Sequence, residues 1–148
     1  MAKKKKSNKS EIDILNVKLS NVSLLGVNFP VRNEPIPADV KFYFNMTIEQ
    51  STYIEQNAIR IVFHAKIRDN DENGEEFGEI SIGCRFDVQE GELEMMKGKE
   101  SLPENITVLL YSITISTSRG YMASEFKGTY LRNAVLPIID PKVFLKSR

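Results

Sequence analysis

Residues 40–49 read VKFYFNMTIE, residues 59–68 IRIVFHAKIR and residues 80–89 ISIGCRFDVQ. Apolar side chains take every second place in each. Val40, Phe42, Phe44, Met46 and Ile48 share one face of the first, with Lys41, Tyr43, Asn45, Thr47 and Glu49 opposite. Ile59, Ile61, Phe63, Ala65 and Ile67 do the same in the second, and Ile80, Ile82, Cys84, Phe86 and Val88 in the third. A period of two sustained this long predicts strands with one buried face, which suits an antiparallel sheet rather than a parallel sheet with crossover helices.

Upstream, Ile12 to Phe29 alternates less regularly: Leu15, Val17 and Leu19 hold one parity, Val22 and Leu24 the other. One long strand with a bulge near Ser20–Asn21 accounts for the change, since a bulge shifts which side chains point inward. Pro30 to Pro37 is a proline-bracketed crossover, and 69-DNDENG-74 a turn between the second and third alternating runs.

The C-terminal third changes character. Ser101-Leu102-Pro103-Glu104 has capping-box spacing with proline in the first turn. Ile106, Leu109, Leu110, Ile113 and Thr117 then recur at helical intervals, although the stretch is β-branched and also alternates. The cap, the proline and Gly120 as a stop punctuate it as a helix. Pro137 and Pro141 bracket an extended or turn segment, and Val143-Phe144-Leu145 closes the chain as a short terminal element. The expected fold is α+β: a four-stranded antiparallel sheet, a long C-terminal helix and that short element. One helix cannot cover a sheet whose strands each present about five apolar residues, so the remainder of that face must meet another subunit or a ligand.

Charge narrows the partners. Twenty basic and twenty acidic residues cancel over 148 residues, but Lys3, Lys4, Lys5, Lys6 and Lys9 lie in the first ten. The other 138 therefore carry fifteen bases against twenty acids, a net charge of about −5, which opposes binding of duplex nucleic acid by bulk electrostatics. The lysine run, residues 1–10, reads as a solvated disordered tail; it lacks the apolar stretch that a secretory signal would place after it. No run approaches the roughly 18 apolar residues of a membrane span. The single cysteine excludes an internal disulfide framework and a cysteine-based zinc site within one chain.

The sequence has no glycine-rich phosphate loop, no paired-histidine zinc motif and no Cys-x-x-Cys. His64, the sole histidine, falls on the polar parity of its strand, which predicts a solvated surface side chain; Cys84 shares the apolar parity, which predicts a buried inert thiol. Asp69, Asp71, Asn73 and Gly74 imitate the start of a calcium loop, but the twelfth position is Ile80 and Glu79 comes one place early. A polar hairpin is the simpler reading. Asp69, Asp71, Glu72, Glu75, Glu76 and Glu79 run without an intervening base, either as a solvated loop or as a docking face for a basic partner.

Several local strings, in this order, are similar to one family. They are Pro37 leading into Val40-Lys41, the strand from Glu79 to Phe86, Asn105-Ile106 opening the helix, Ser118-Arg119-Gly120 closing it, and Leu136-Pro137 running on to Phe144. From about Ile12 to Leu145 the chain resembles SecB, the bacterial protein-export chaperone, and its SecB-like relatives. The resemblance makes residues 11–148 one SecB-like domain and implies a cytoplasmic homo-oligomer: a dimer, or in SecB a homotetramer built as a dimer of dimers. It implies an ATP-independent holdase without cofactor, metal or covalent step, which binds unfolded preproteins in long hydrophobic grooves. Val40, Phe42 and Phe44 match the groove on the second strand and Phe144 on the terminal element; Phe29, Val31 and Ile36 in the crossover roof it. Docking to the SecA motor uses acidic residues on the outer sheet face. Glu79 matches there, whereas Asn21 and Leu25 depart from the pattern, as does the end at Lys146-Ser147-Arg148 without an acidic tail. SecB-like relatives also serve as dedicated chaperones of one client, such as the antitoxin of a toxin–antitoxin system. A small-ligand or structural interaction module built on the same sheet is the alternative from another class.

Overall fold

The computed structural model describes residues 16–95 and 102–147. The lysine run and Ser101 of the expected capping box lie outside these. Four strands, β1 (Val17–Asn28), β2 (Phe42–Tyr53), β3 (Ala58–Asp69) and β4 (Glu76–Val88), form one antiparallel sheet in the order β1-β4-β3-β2. A four-residue helix α1 (Glu92–Met95), the long helix α2 (Glu104–Phe126) and a terminal 3-10 helix (Pro141–Ser147) follow. This is the α+β arrangement the sequence predicts.

The three alternating runs become β2, β3 and β4, and their registers align the apolar parities: Phe44 faces Ile67, Phe63 faces Ile82, and Ile61 faces Cys84. β1 bulges between Leu19 and Asn21, as its parity change predicts. A second irregularity between Leu24 and Gly26, unmarked in the sequence pattern, brings Val27 back to the inner face, while Leu25 stays on the outer face over Gly83. The β3–β4 turn is the polar hairpin. Asp71 accepts a hydrogen bond from the Asn73 amide at 2.8 Å, and Asn70 takes a left-handed φ of 63°. A Cβ on Gly74 would fall on the Asp69 carbonyl, so glycine is required there.

α2 forms despite its β-branched content because a tertiary face outweighs propensity. That face differs in detail from the expected one. Ile106, Leu110 and Ile115 are buried together with Thr107, Tyr111, Thr114, Ser118, Met122 and Phe126, whereas Leu109 is exposed and Ile113 half-buried. Gly120 does not stop the helix. It lies exposed within it, and the chain turns only after Lys127, where Gly128 takes a left-handed φ of 78°.

Dimensions explain the pattern of burial. A helix is about 10 Å across with its side chains, and strands lie about 4.8 Å apart, so one helix shields about two strands. α2 lies over β3 and β4. Their inner residues, Ile59 to Ile67 and Ile80 to Phe86, are 0–1% exposed. The inner residues of the edge strands are not sealed: Leu19 and Val27 of β1 are 37% and 40% exposed, and Phe42, Phe44, Met46 and Ile48 of β2 are half-buried. The two leucines at 109 and 110 report this geometry. We expect Leu110→Ala to destabilise the fold by about 2–5 kcal/mol and Leu109→Ala by no more than about 0.5 kcal/mol, read by urea denaturation at concentrations that keep the chain monomeric.

Candidate functional site

The crossover from β1 to β2, residues 29–41, passes over the end of the sheet beside the β3–β4 turn. Proline at positions 30, 35 and 37 keeps it out of any ladder. It is fastened at three points: Lys41, Arg32 and Pro30. The Lys41 carbonyl accepts a hydrogen bond from the Asn70 amide at 2.7 Å. Arg32 donates to Glu75 at 2.7 Å, and its guanidinium lies 4.7 Å from the centre of the Phe77 ring and 5.9 Å from that of Tyr130. Phe77 is the extra residue where the β3–β4 register shifts, between the Ile67–Gly78 and Arg68–Glu76 pairs. Its ring meets that of Phe42 edge-on, centroids 6.0 Å apart.

Tyr130 completes the corner from a distant part of the chain. Its hydroxyl lies 2.9 Å from the Pro30 carbonyl and 2.7 Å from the Phe77 carbonyl, either of which accepts its proton. Burial pushes this phenol above its ordinary value of 10; the Arg32 charge pulls it down, and Glu75 adds a smaller upward push.

Between the crossover and the segment after α2 runs an open groove of about 520 Å³. Pro35, Ile36 and Val40 form its crossover side and Phe42 comes from the sheet; Thr129, Tyr130 and Arg132 form the far wall. Of the residues matched to a groove in the sequence, Ile36, Val40 and Phe42 come together here. Phe44 is the next inward residue of β2, half-buried and followed by Met46 and Ile48, so an apolar stripe leads out of the groove along the edge strand. Phe29 does not line the groove; it packs edge-on against Phe126 at 5.6 Å and Tyr130 at 6.2 Å. Val31 is 95% exposed, and Phe144 is buried against Tyr111, ring centroids 6.5 Å apart. Arg32, Phe77, Tyr130 and Arg132 are absent from the sequence reading. Tyr130 reaches a residue one hundred positions away, and no local periodicity signals that.

Of the other singled-out residues, all but Cys84 fall on or beside the outer face. Glu79 is half-buried opposite Lys66. Part of the acidic run is engaged within the chain, Glu75 by Arg32 and Glu76 by Arg68 at 3.9 Å. His64 lies on the polar face as expected. Its Nδ1 is 2.7 Å from the Ser81 hydroxyl and its Nε2 3.6 Å from Glu49. The three form a cross-strand row on the outer face of the sheet. Cys84 is fully buried, and burial raises its thiol above 9.0 while a hydrogen bond with Thr114 lowers it less. A raised value disfavours the thiolate a nucleophile needs.

No protein-family model and no curated protein matches the sequence. Among solved structures, the SecB-like chaperone Rv1957 of Mycobacterium tuberculosis, in complex with a ChAD peptide from the HigA1 antitoxin, superposes with a TM-score of 0.57. The match covers 83% of this chain and 89% of that one at 12% identity. The chain therefore has the SecB-like fold.

Two expectations follow from the crossover latch. Arg32 is 15% exposed at its side chain and stacked, whereas Glu75 is 63% exposed. Arg32→Ala should cost about 1–2 kcal/mol and speed amide exchange over residues 29–41, while Glu75→Gln costs at most about 1 kcal/mol. The Tyr130 phenol is raised in the fold, so its stabilising contribution is complete below pH 10 and is lost as the pH rises beyond it. Thermal midpoints of the native chain should therefore fall more steeply above pH 10 than those of Tyr130→Phe.

Proposed function

We propose that this SecB-like chain is an ATP-independent chaperone that holds non-native polypeptide against the groove and the β2 stripe. The observation that supports this reading best is the unsealed apolar face: α2 shields β3 and β4 to near zero exposure, while Val40, Phe42, Phe44, Met46 and Ile48 stay accessible beside an open groove. Burying one such side chain contributes roughly 1.5–3 kcal/mol, and ordering one residue of guest backbone costs about 1–2 kcal/mol. A single contact is near break-even. Retention needs several contacts on one guest, supplied along the stripe or by neighbouring copies in an oligomer. A folded protein hides its apolar segments and gains nothing, so unfolded chains are selected without any sequence code.

The exposed inner residues of β1, Leu19 and Val27, offer surface to a second copy, in line with a dimer or larger homo-oligomer. In this reading Phe144 packs in the core against Tyr111 of α2, and Phe29 anchors the crossover through its ring contacts with Phe126 and Tyr130. The solved relative carries an antitoxin peptide, which favours one dedicated client over general export. Glu79 is opposed by Lys66, and two acids of the neighbouring run are paired within the chain; both features weaken the case for delivery to SecA through acidic docking.

The test is aggregation of a slowly refolding client with and without stoichiometric protein. We expect suppression by the native chain. Ile36→Asp and Phe42→Asp should each weaken capture by about tenfold, since one buried apolar contact is lost and a charge is set in its place. Ile36 lies outside the sheet, so Ile36→Asp separates capture from folding. No suppression by the native chain sinks the proposal.

A further inference from the structure

The sheet face turned away from α2 carries a second cavity, of about 380 Å³, and the geometry points to it as a docking site for the carboxylates of an acidic polypeptide segment. It does not depend on the groove, which lies at the opposite face. Arg60 and Arg85 both line it, and they sit directly opposite each other across β3 and β4. Like charges facing across strands repel. Arg85 is partly relieved, with Asp87 at 3.2 Å and the Gln56 side-chain oxygen at 3.3 Å. Arg60 has neither an ion pair nor a hydrogen bond among the described residues.

Gly83 lines the cavity beside the arginine pair and brings no outward side chain into it. A Cβ there would come 3.1 Å from the Leu25 side chain and 3.6 Å from Arg60 Nη2, so both reach over this glycine. Leu25 follows the inward Leu24 and so stands on this face; it is 44% exposed, and Tyr53 at 39% stands on the rim. The basin thus combines two guanidinium groups with apolar borders. A guanidinium fork matches a carboxylate in two parallel hydrogen bonds, and Leu25 and Tyr53 suit the apolar neighbours of an acidic side chain. An extended polyanion is a poorer fit: nucleic acid needs a track of many cationic contacts, and the cationic lining of this basin is Arg60 and Arg85.

The test is fluorescence anisotropy of the full chain with a labelled peptide alternating glutamate and leucine, against its glutamine counterpart. The glutamate peptide should bind saturably and weaken as salt rises, with the glutamine peptide about tenfold weaker. Arg60→Gln and Arg85→Gln should each weaken the glutamate peptide by about tenfold, while capture of a refolding client is unchanged. Each substitution removes one of two facing like charges, so thermal midpoints should hold or rise, which separates lost binding from misfolding. Native affinity in the double variant R60Q/R85Q, or equal binding of the two peptides, overturns the proposal. Tighter binding of a duplex oligonucleotide through the same two arginines assigns the basin to nucleic acid and also overturns it.

Discussion

The width of a helix measured against the width of a sheet governs this molecule. Four antiparallel strands span about 15–20 Å, and one helix with its side chains covers about half of that. α2 lies over the two central strands, and they are sealed. The edge strands receive what cover remains from the crossover and from the segments after α2. Every functional feature of the inner face descends from this mismatch: the half-buried stripe on β2, the accessible inner residues of β1 and the groove at the crossover end.

The crossover matters because it turns an exposed edge into a bounded groove. Its prolines forbid pairing with β2, so it stands off the sheet. Arg32, held between two rings and a carboxylate, and the Tyr130 hydroxyl fix its standing distance. The polar and aromatic pieces of that latch sit at the corner, and the apolar pieces Ile36, Val40 and Phe42 line the opening. The result is a row of several half-buried apolar side chains rather than one deep pocket.

The two faces of the sheet differ in chemistry because each strand distributes its residues by parity. Inward positions are almost wholly apolar; outward positions carry Arg60, His64, Lys66, Glu79, Arg85 and Asp87. The acids of the β3–β4 turn are partly balanced by Arg32 and Arg68. The arginine pair at the other end of the sheet is balanced on one side only. One small domain thereby presents two surfaces of different chemistry, an apolar groove and stripe inside and a charged face outside.

Sequence alone determined the strands, their inward faces, the first bulge of β1, the polar hairpin and the shortage of cover, because side-chain alternation is a local property that a sheet obeys residue by residue. It placed α2 correctly but turned its face, taking Leu109 for Thr107, because propensity and period do not say how closely a helix approaches a sheet. It stopped that helix at Gly120, since an isolated glycine costs only about 1 kcal/mol where packing continues on either side. Only the tertiary structure decided that Ile36, Val40 and Phe42 share a groove while Phe29, Val31 and Phe144 stand apart from it. Only it brought Tyr130 to Pro30 and Arg60 to Arg85. Strand register sets the meeting of Arg60 with Arg85, and the packing of the crossover against the segment after α2 sets the others; both join residues far apart in the chain and leave no periodic trace in it.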